Sequence, residues 1–81
     1  MRIDYVLKNA AKRMTGVFVD VDSSMGTVCI STNGQDDIFM QGDDADQFIA
    51  ECESLANRCK HLSPAIIELA LAEPYAECIW S

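Results

Sequence analysis

Apolar residues recur along this chain with two periods, and the switches between them divide it into helices and strands. Near the N-terminus they fall at Ile3, Leu7, Ala10 and Met14, with Val6 and Ala11 beside them, which is helical spacing. Lys12 and Arg13 suit the negative end of such a helix, and Gly16 is a natural stop. Ile3, Tyr5 and Leu7 also alternate as a strand would, but the longer run favours a helix over 3–14. At Val17 the period drops to two. Val17-Phe18-Val19-Asp20-Val21-Asp22 alternates strictly and is rich in β-branched residues, the mark of a strand with one buried face. Ser23-Ser24-Met25-Gly26 makes a turn into a second strand, Thr27–Thr32. Asn33-Gly34 signals a hairpin leading to a third strand, Asp37–Gln41.

The same pattern fixes a register. A two-residue Asn33-Gly34 loop would set Ile30 against Asp37 and mix the faces. A loop longer by one residue, with Gly34 left-handed, sets Ile30 opposite Ile38 and Val28 opposite Met40. One face is then Val17, Val19, Val21, Val28, Ile30, Ile38 and Met40. The other carries Phe18, Cys29 and Phe39, with Cys29 opposite Phe39 and Asp20, Asp22, Ser31 and Asp37 around them.

Gly42 ends the sheet and the helical period returns. Ala45, Phe48, Ile49, Cys52, Leu55, Ala56 and Cys59 form one stripe. Asp43 or Asp44 is expected to cap this helix, Asp44 with Gln47 having the spacing of a capping box. Ser63-Pro64 opens a further helix through Ile66, Ile67, Ala70 and Leu71, which Pro74 should kink or end. Residues 75–80 read equally as a helical turn or a short edge strand. The order predicts a single α+β domain over 1–81: an N-terminal helix, a three-stranded antiparallel β-meander, and two C-terminal helices packed on one sheet face. Val19, Val28, Ile30, Phe48, Cys52, Leu55 and Ile66 are its expected core.

Charge changes this picture more than composition does. The net charge is −7, and residues 14–57 hold nine acids and no Lys or Arg. Asp36, Asp37, Asp43, Asp44 and Asp46 crowd around the third strand. Such a stretch repels nucleic acid and attracts basic surfaces. The first thirteen residues lean the other way, with Arg2, Lys8, Lys12 and Arg13 against Asp4. The N-terminus lacks an export-like apolar stretch and no window suits a membrane span, so a cytoplasmic protein is expected. Eighty-one residues leave little core to give up to an enzyme-sized pocket.

Candidate chemistry is thin. Cys29, Cys52, Cys59 and Cys78 contain no Cys-x-x-Cys pair, and Cys52 with Cys59 and His61 lacks zinc-ligand spacing. Asp20-Val21-Asp22 begins like a calcium loop, but Gly26 falls one position late and Ser31 stands where a bidentate Glu belongs. His61 is the only histidine and lies far from the acids of the third strand, so no acid–base pair or triad is in view. No metal and no cofactor is expected. What remains is an apolar strip, Phe18 and Phe39, rimmed by acids. Either helix 3–14 folds over it or it is a binding surface.

In size, acidity and α+β order without catalytic residues, the chain resembles the small acidic accessory proteins of phages and mobile genetic elements, anti-CRISPR and other anti-defence proteins among them. The resemblance is one of general character over the whole chain. It implies an inhibitor whose acidic surface covers the nucleic-acid site of a target. The expected function is accordingly a non-enzymatic protein-interaction module. Its partner is a basic protein surface rather than nucleic acid or membrane, met through Asp36, Asp37, Asp43, Asp44, Asp46, Phe18 and Phe39. The alternative is a homodimer or larger accessory assembly joined through the Phe18/Phe39 face.

Overall fold

A computed structural model describes residues 2–80, with side chains through residue 78. It has α1 (Ile3–Lys12), β1 (Val17–Asp22), β2 (Thr27–Thr32), β3 (Ile38–Gln41), α2 (Asp43–Arg58) and α3 (Pro64–Trp80), in that order. The strands form one antiparallel sheet in the order β1-β2-β3. Helices α2 and α3 pack on one face of it, giving the expected α+β architecture.

The register follows the hydrophobic pattern. Ile30 pairs with Ile38, Cys29 with Phe39 and Val28 with Met40. On the other side of β2, Val19 pairs with Ile30 and Val21 with Val28. Gly34 adopts a φ of 88°, the left-handed conformation that the longer loop requires. The β1–β2 turn is held by Asp22, whose carboxylate accepts from the Ser24 backbone N–H at 3.1 Å, the Ser24 hydroxyl at 2.6 Å and the Met25 N–H at 3.1 Å. Asp22 is thus a turn residue.

Helix α2 departs from expectation at its start. Gly42 is the N-cap residue, and no side chain caps the helix, so neither Asp43 nor the Asp44–Gln47 pair acts as the cap. The chain leaves β3 and enters α2 through Gly42 at φ 69° and ψ −141°, backbone that residues with a Cβ rarely adopt. The helix therefore begins one residue before a capping Asp44 could form a box. Asp43, Asp44 and Asp46 lie in its first turn, where their charge is favourable. Helix α3 starts as predicted, with Pro64 first and the Ser63 hydroxyl accepting from the Ile66 N–H at 3.4 Å. It then runs through Pro74 to Trp80, so the last residues are helical and not a strand.

The core has two parts. Between sheet and helices lie Val28, Ile30, Ile38 and Met40 with Ala45, Phe48, Ala72 and Ala76. The Phe48 and Tyr75 rings meet at 6.0 Å between centroids, tilted by 56°. On the far side of α3, Leu7 and Ala10 of α1 pack against Ile67 and Ala70, with Cys59 and Leu62. Of the expected core, Val28, Ile30 and Phe48 are fully buried, while Val19 and Cys52 lie at the margin of the first cluster and Leu55 and Ile66 at that of the second. Helix α1 ends at Lys12 and packs on α3, not on the sheet. It therefore does not fold over the Phe18/Phe39 face. Its apolar stripe finds a better match in the second apolar side of α3.

Phe48 is 1 % exposed and Phe39 60 %. In urea unfolding, Phe48→Ala is expected to lose about 3–5 kcal/mol of stability. Phe39→Ser should stay within about 0.5 kcal/mol of the parent, as substitutions at exposed positions do.

Candidate interaction face

The outer sheet face can be built row by row. Period two sends Phe18, Asp20 and Asp22 outward from β1, Thr27, Cys29 and Ser31 from β2, and Phe39 and Gln41 from β3. Register aligns Phe18 with Ser31, Asp20 with Cys29 and Phe39, and Asp22 with Thr27 and Gln41. Phe18 and Phe39 are 65 % and 60 % exposed. They stand two strands apart and one row out of line, so the diagonal between them exceeds the roughly 10 Å width of two strand spacings and crosses β2 between Cys29 and Ser31. Burial pushes the Cys29 thiol up, and the negative charges of Asp37 and of its cross-strand neighbour Asp20 push it further. Strands and turns from 17 to 42 contain no Lys or Arg, so the face is apolar at its centre and anionic at its rim.

The five acids singled out in the sequence do not form one cluster. Asp36 and Asp37 precede β3, and Asp43, Asp44 and Asp46 follow it in the first turn of α2. A Cβ placed on Gly26 would lie 3.7 Å from the Asp46 carboxylate, so Asp46 stands against the β1–β2 turn. Asp37 is the member of the set that borders the aromatic pair.

The basic residues belong to the helical side. Arg13 donates from Nε and Nη2, one edge of its guanidinium, to the two oxygens of the Glu73 carboxylate, and the Nη2–Oε1 distance is 2.8 Å. This contact clamps the end of α1 to α3. At the other end of α1, Asp4 meets His61 at 2.9 Å, which ties the helix to the α2–α3 connection. The bond to His61 holds the Asp4 carboxyl below its ordinary range, with the charge of Arg2 adding to it. His61, given no role by its sequence context, is thus a fastener. No local signal points to it, because its partner is 57 residues away.

A second feature that sequence reading missed is Glu68. It lies on α3 between two shallow grooves along the inner side of β1. One is formed by Val17, Val19, Ala65 and Leu69, and the other by Val21, Ile49, Cys52 and Pro64. Burial pushes the Glu68 carboxyl up, and the charge of Asp20 pushes it further. Among the described residues it has no ion pair or hydrogen bond. Its setting was visible as an acid inside the apolar run Ile66-Ile67-Glu68-Leu69-Ala70. The neighbouring Cys52 thiol is pushed up to about 12 by burial and by Glu68, Glu51 and Glu53, so it is no nucleophile at neutral pH.

The four cysteines are free and dispersed, and among the described residues no group of three or more His, Cys, Asp or Glu is placed to hold a metal ion. No described helix is long and apolar enough to cross a membrane. No protein-family model, curated protein or solved structure is significantly similar to the chain.

Glu68 gives a pH signature. Its folded pKa lies above the unfolded one, so it favours folding below the ordinary Glu range and opposes it once ionised. Glu68→Gln should therefore raise the melting temperature at pH 7, and the gain should vanish below about pH 4. Asp4, Asp22 and Glu73, all held low, act in the opposite sense. Their contribution is present above the ordinary carboxylate range and is lost as pH falls through their folded values, which predicts acid destabilisation in parent and variant alike.

Proposed function

We propose that this protein is a non-enzymatic interaction module that sets the outer face of its sheet on a basic protein surface and covers it. The observation that carries the reading is the open Phe18/Phe39 face, apolar at its centre, rimmed by Asp20 and Asp37 and free of Lys and Arg. Exposed aromatics in such a setting supply contact area, and the acids supply orientation and rate. A nucleic-acid-binding protein offers the matching chemistry, a cationic surface interrupted by apolar ground. An inhibitor occupying that surface would compete with the phosphate backbone for the same Lys and Arg. This agrees with the accessory-protein character of the sequence.

Self-association through the same face is the second reading, favoured by the exposure of both aromatics. A two-fold pairing would bring Asp20 and Asp37 toward their own copies on a chain of net charge −7, which argues against it.

A protein captured from a bacterial lysate tests the proposal through variants. Phe18→Ser/Phe39→Ser and Asp20→Asn/Asp37→Asn should each release it without lowering the melting temperature. Asp43→Asn/Asp44→Asn/Asp46→Asn should matter less, because those acids lie beyond the aromatic strip. Association should slow steeply between 0.05 and 0.5 M salt, since screening shortens the reach of charge to ~10 Å at 0.1 M. Retention of the partner by both face variants would overturn the reading. A parent that sediments as a dimer, with Phe18→Ser/Phe39→Ser monomeric and folded, would establish the second.

A further inference from the structure

Strand β1 is an edge of the sheet, six residues or roughly 20 Å long, and among the described residues no strand pairs with it on the side away from β2. Which of its backbone groups face outward follows from one hydrogen bond. The Val17 N–H is spent on the Met14 carbonyl at 3.1 Å, away from β2. In an antiparallel ladder alternate residues turn both backbone groups to the same side, so Val19 and Val21 present their N–H and C=O groups to the free edge. β3, the other edge, is only four residues long. A short edge strand is one of the ways sheets guard against pairing, and β1 lacks that guard.

The two sides of the β1 edge have matching chemistry. On the inner side Val17, Val19 and Val21 remain half-buried, because α2 and α3 do not cover the strand fully, and the apolar grooves with Glu68 run along it. On the outer side stand Phe18 and Asp20. Asp20 and Glu68 approach from opposite faces closely enough that one raises the pKa of the other. Neither strand β1 nor helix α3 contains a Lys or Arg.

We propose that the β1 edge takes up an extended segment of a basic partner as a fourth strand, with apolar side chains entering the inner grooves and Lys or Arg side chains meeting Asp20 and Glu68. The inference rests on the interaction-module reading and adds the mode of attachment: backbone pairing gives affinity, and the acids on both sides of the edge select cationic sequences. A second copy of this chain is the poorer occupant. Antiparallel pairing of β1 with itself would crowd Asp20 and Glu68 against their own counterparts, and like charges across strands are destabilising. The acids guard the edge against self-assembly while leaving it open to a chain of opposite charge.

The probe is an acetylated octapeptide of alternating Lys and Val, with a second version N-methylated on alternate residues so that one of its backbone edges cannot pair. Amide exchange and NMR shifts are followed on the full chain. The first peptide should bind at low salt with its Val side chains inward and its Lys side chains on the outer side with Asp20, slow exchange at Val19 and Val21 by about tenfold or more, and bind Asp20→Asn severalfold more weakly while that variant stays folded. The N-methylated peptide should not bind. Equal binding of both peptides, no binding of either, or Val19 and Val21 left unprotected would overturn the inference. Protection that rises with protein concentration in the absence of peptide would instead identify a second copy as the occupant and also overturn it. If shifts gather at Cys29 and Phe39 with the β1 edge unprotected, the edge fails and the proposed outer-face contact stands. If the edge is protected but the face variants keep their captured partner, the outer-face contact fails and the edge stands.

Discussion

Helix α3 is the constraint from which the rest of the architecture follows. Its residues are apolar on every side, so no single packing partner can satisfy it. The sheet takes one side, through Ala72 and Ala76 beneath Phe48, and α1 takes another, through Ala70 and Ile67 against Leu7 and Ala10. Small residues at these contacts let the three layers approach closely. Pro74 is tolerated in the helix interior although it removes the N–H that would meet the Ala70 carbonyl, because packing on both sides holds the segment in place. Drawing α1 to this side is what leaves the outer sheet face open.

That layering also sorts the charges. All six Lys and Arg residues lie in α1, its flanks, the end of α2 or the α2–α3 connection, and the charged residues of the strands are acids only. Several acids are structural. Asp22 shapes a turn, Asp4 and Glu73 hold α1, and three more complement the start of α2. Of the other acids, Asp20, Asp37 and Glu68 are the ones whose charge bears on β1 and the aromatic strip.

The sheet was the most legible part of the sequence. Strict alternation in Val17–Asp22 and the pairing demands of Val28, Ile30, Ile38 and Met40 leave one register that buries them all, and the structure has it. Helix α2 and the body of α3 were equally plain, whereas Ile3, Tyr5 and Leu7 also alternate as a strand would and residues 75–80 read equally as a helical turn or an edge strand. The destination of α1 was not legible, because an amphipathic stripe says which side seeks cover and not which surface supplies it. The apolar run Ile66–Ala72, interrupted by Glu68 alone, held the clue that α3 had a second side to cover. The α2 start was misread because Asp43 and Asp44 fit a cap by composition, whereas the exit from β3 imposes a backbone that Gly42 alone in that segment takes without strain. Of the candidate site, the Phe18/Phe39 face was visible from parity. The grooves beside Glu68 were not, since they depend on how far two helices stop short of an edge strand.

Parity in the strands has one more consequence. Val28, Ile30, Ile38 and Met40 build the core, while the outward residues between them, Cys29 and Phe39, contribute little to it, and Phe18 and Asp20 on β1 are no more involved. Folding is thus written in the inward letters of these strands alone. The outward letters can be replaced as a set without disturbing the inward ones, so this small scaffold can change the chemistry of its open face in a few substitutions and still fold to the same shape.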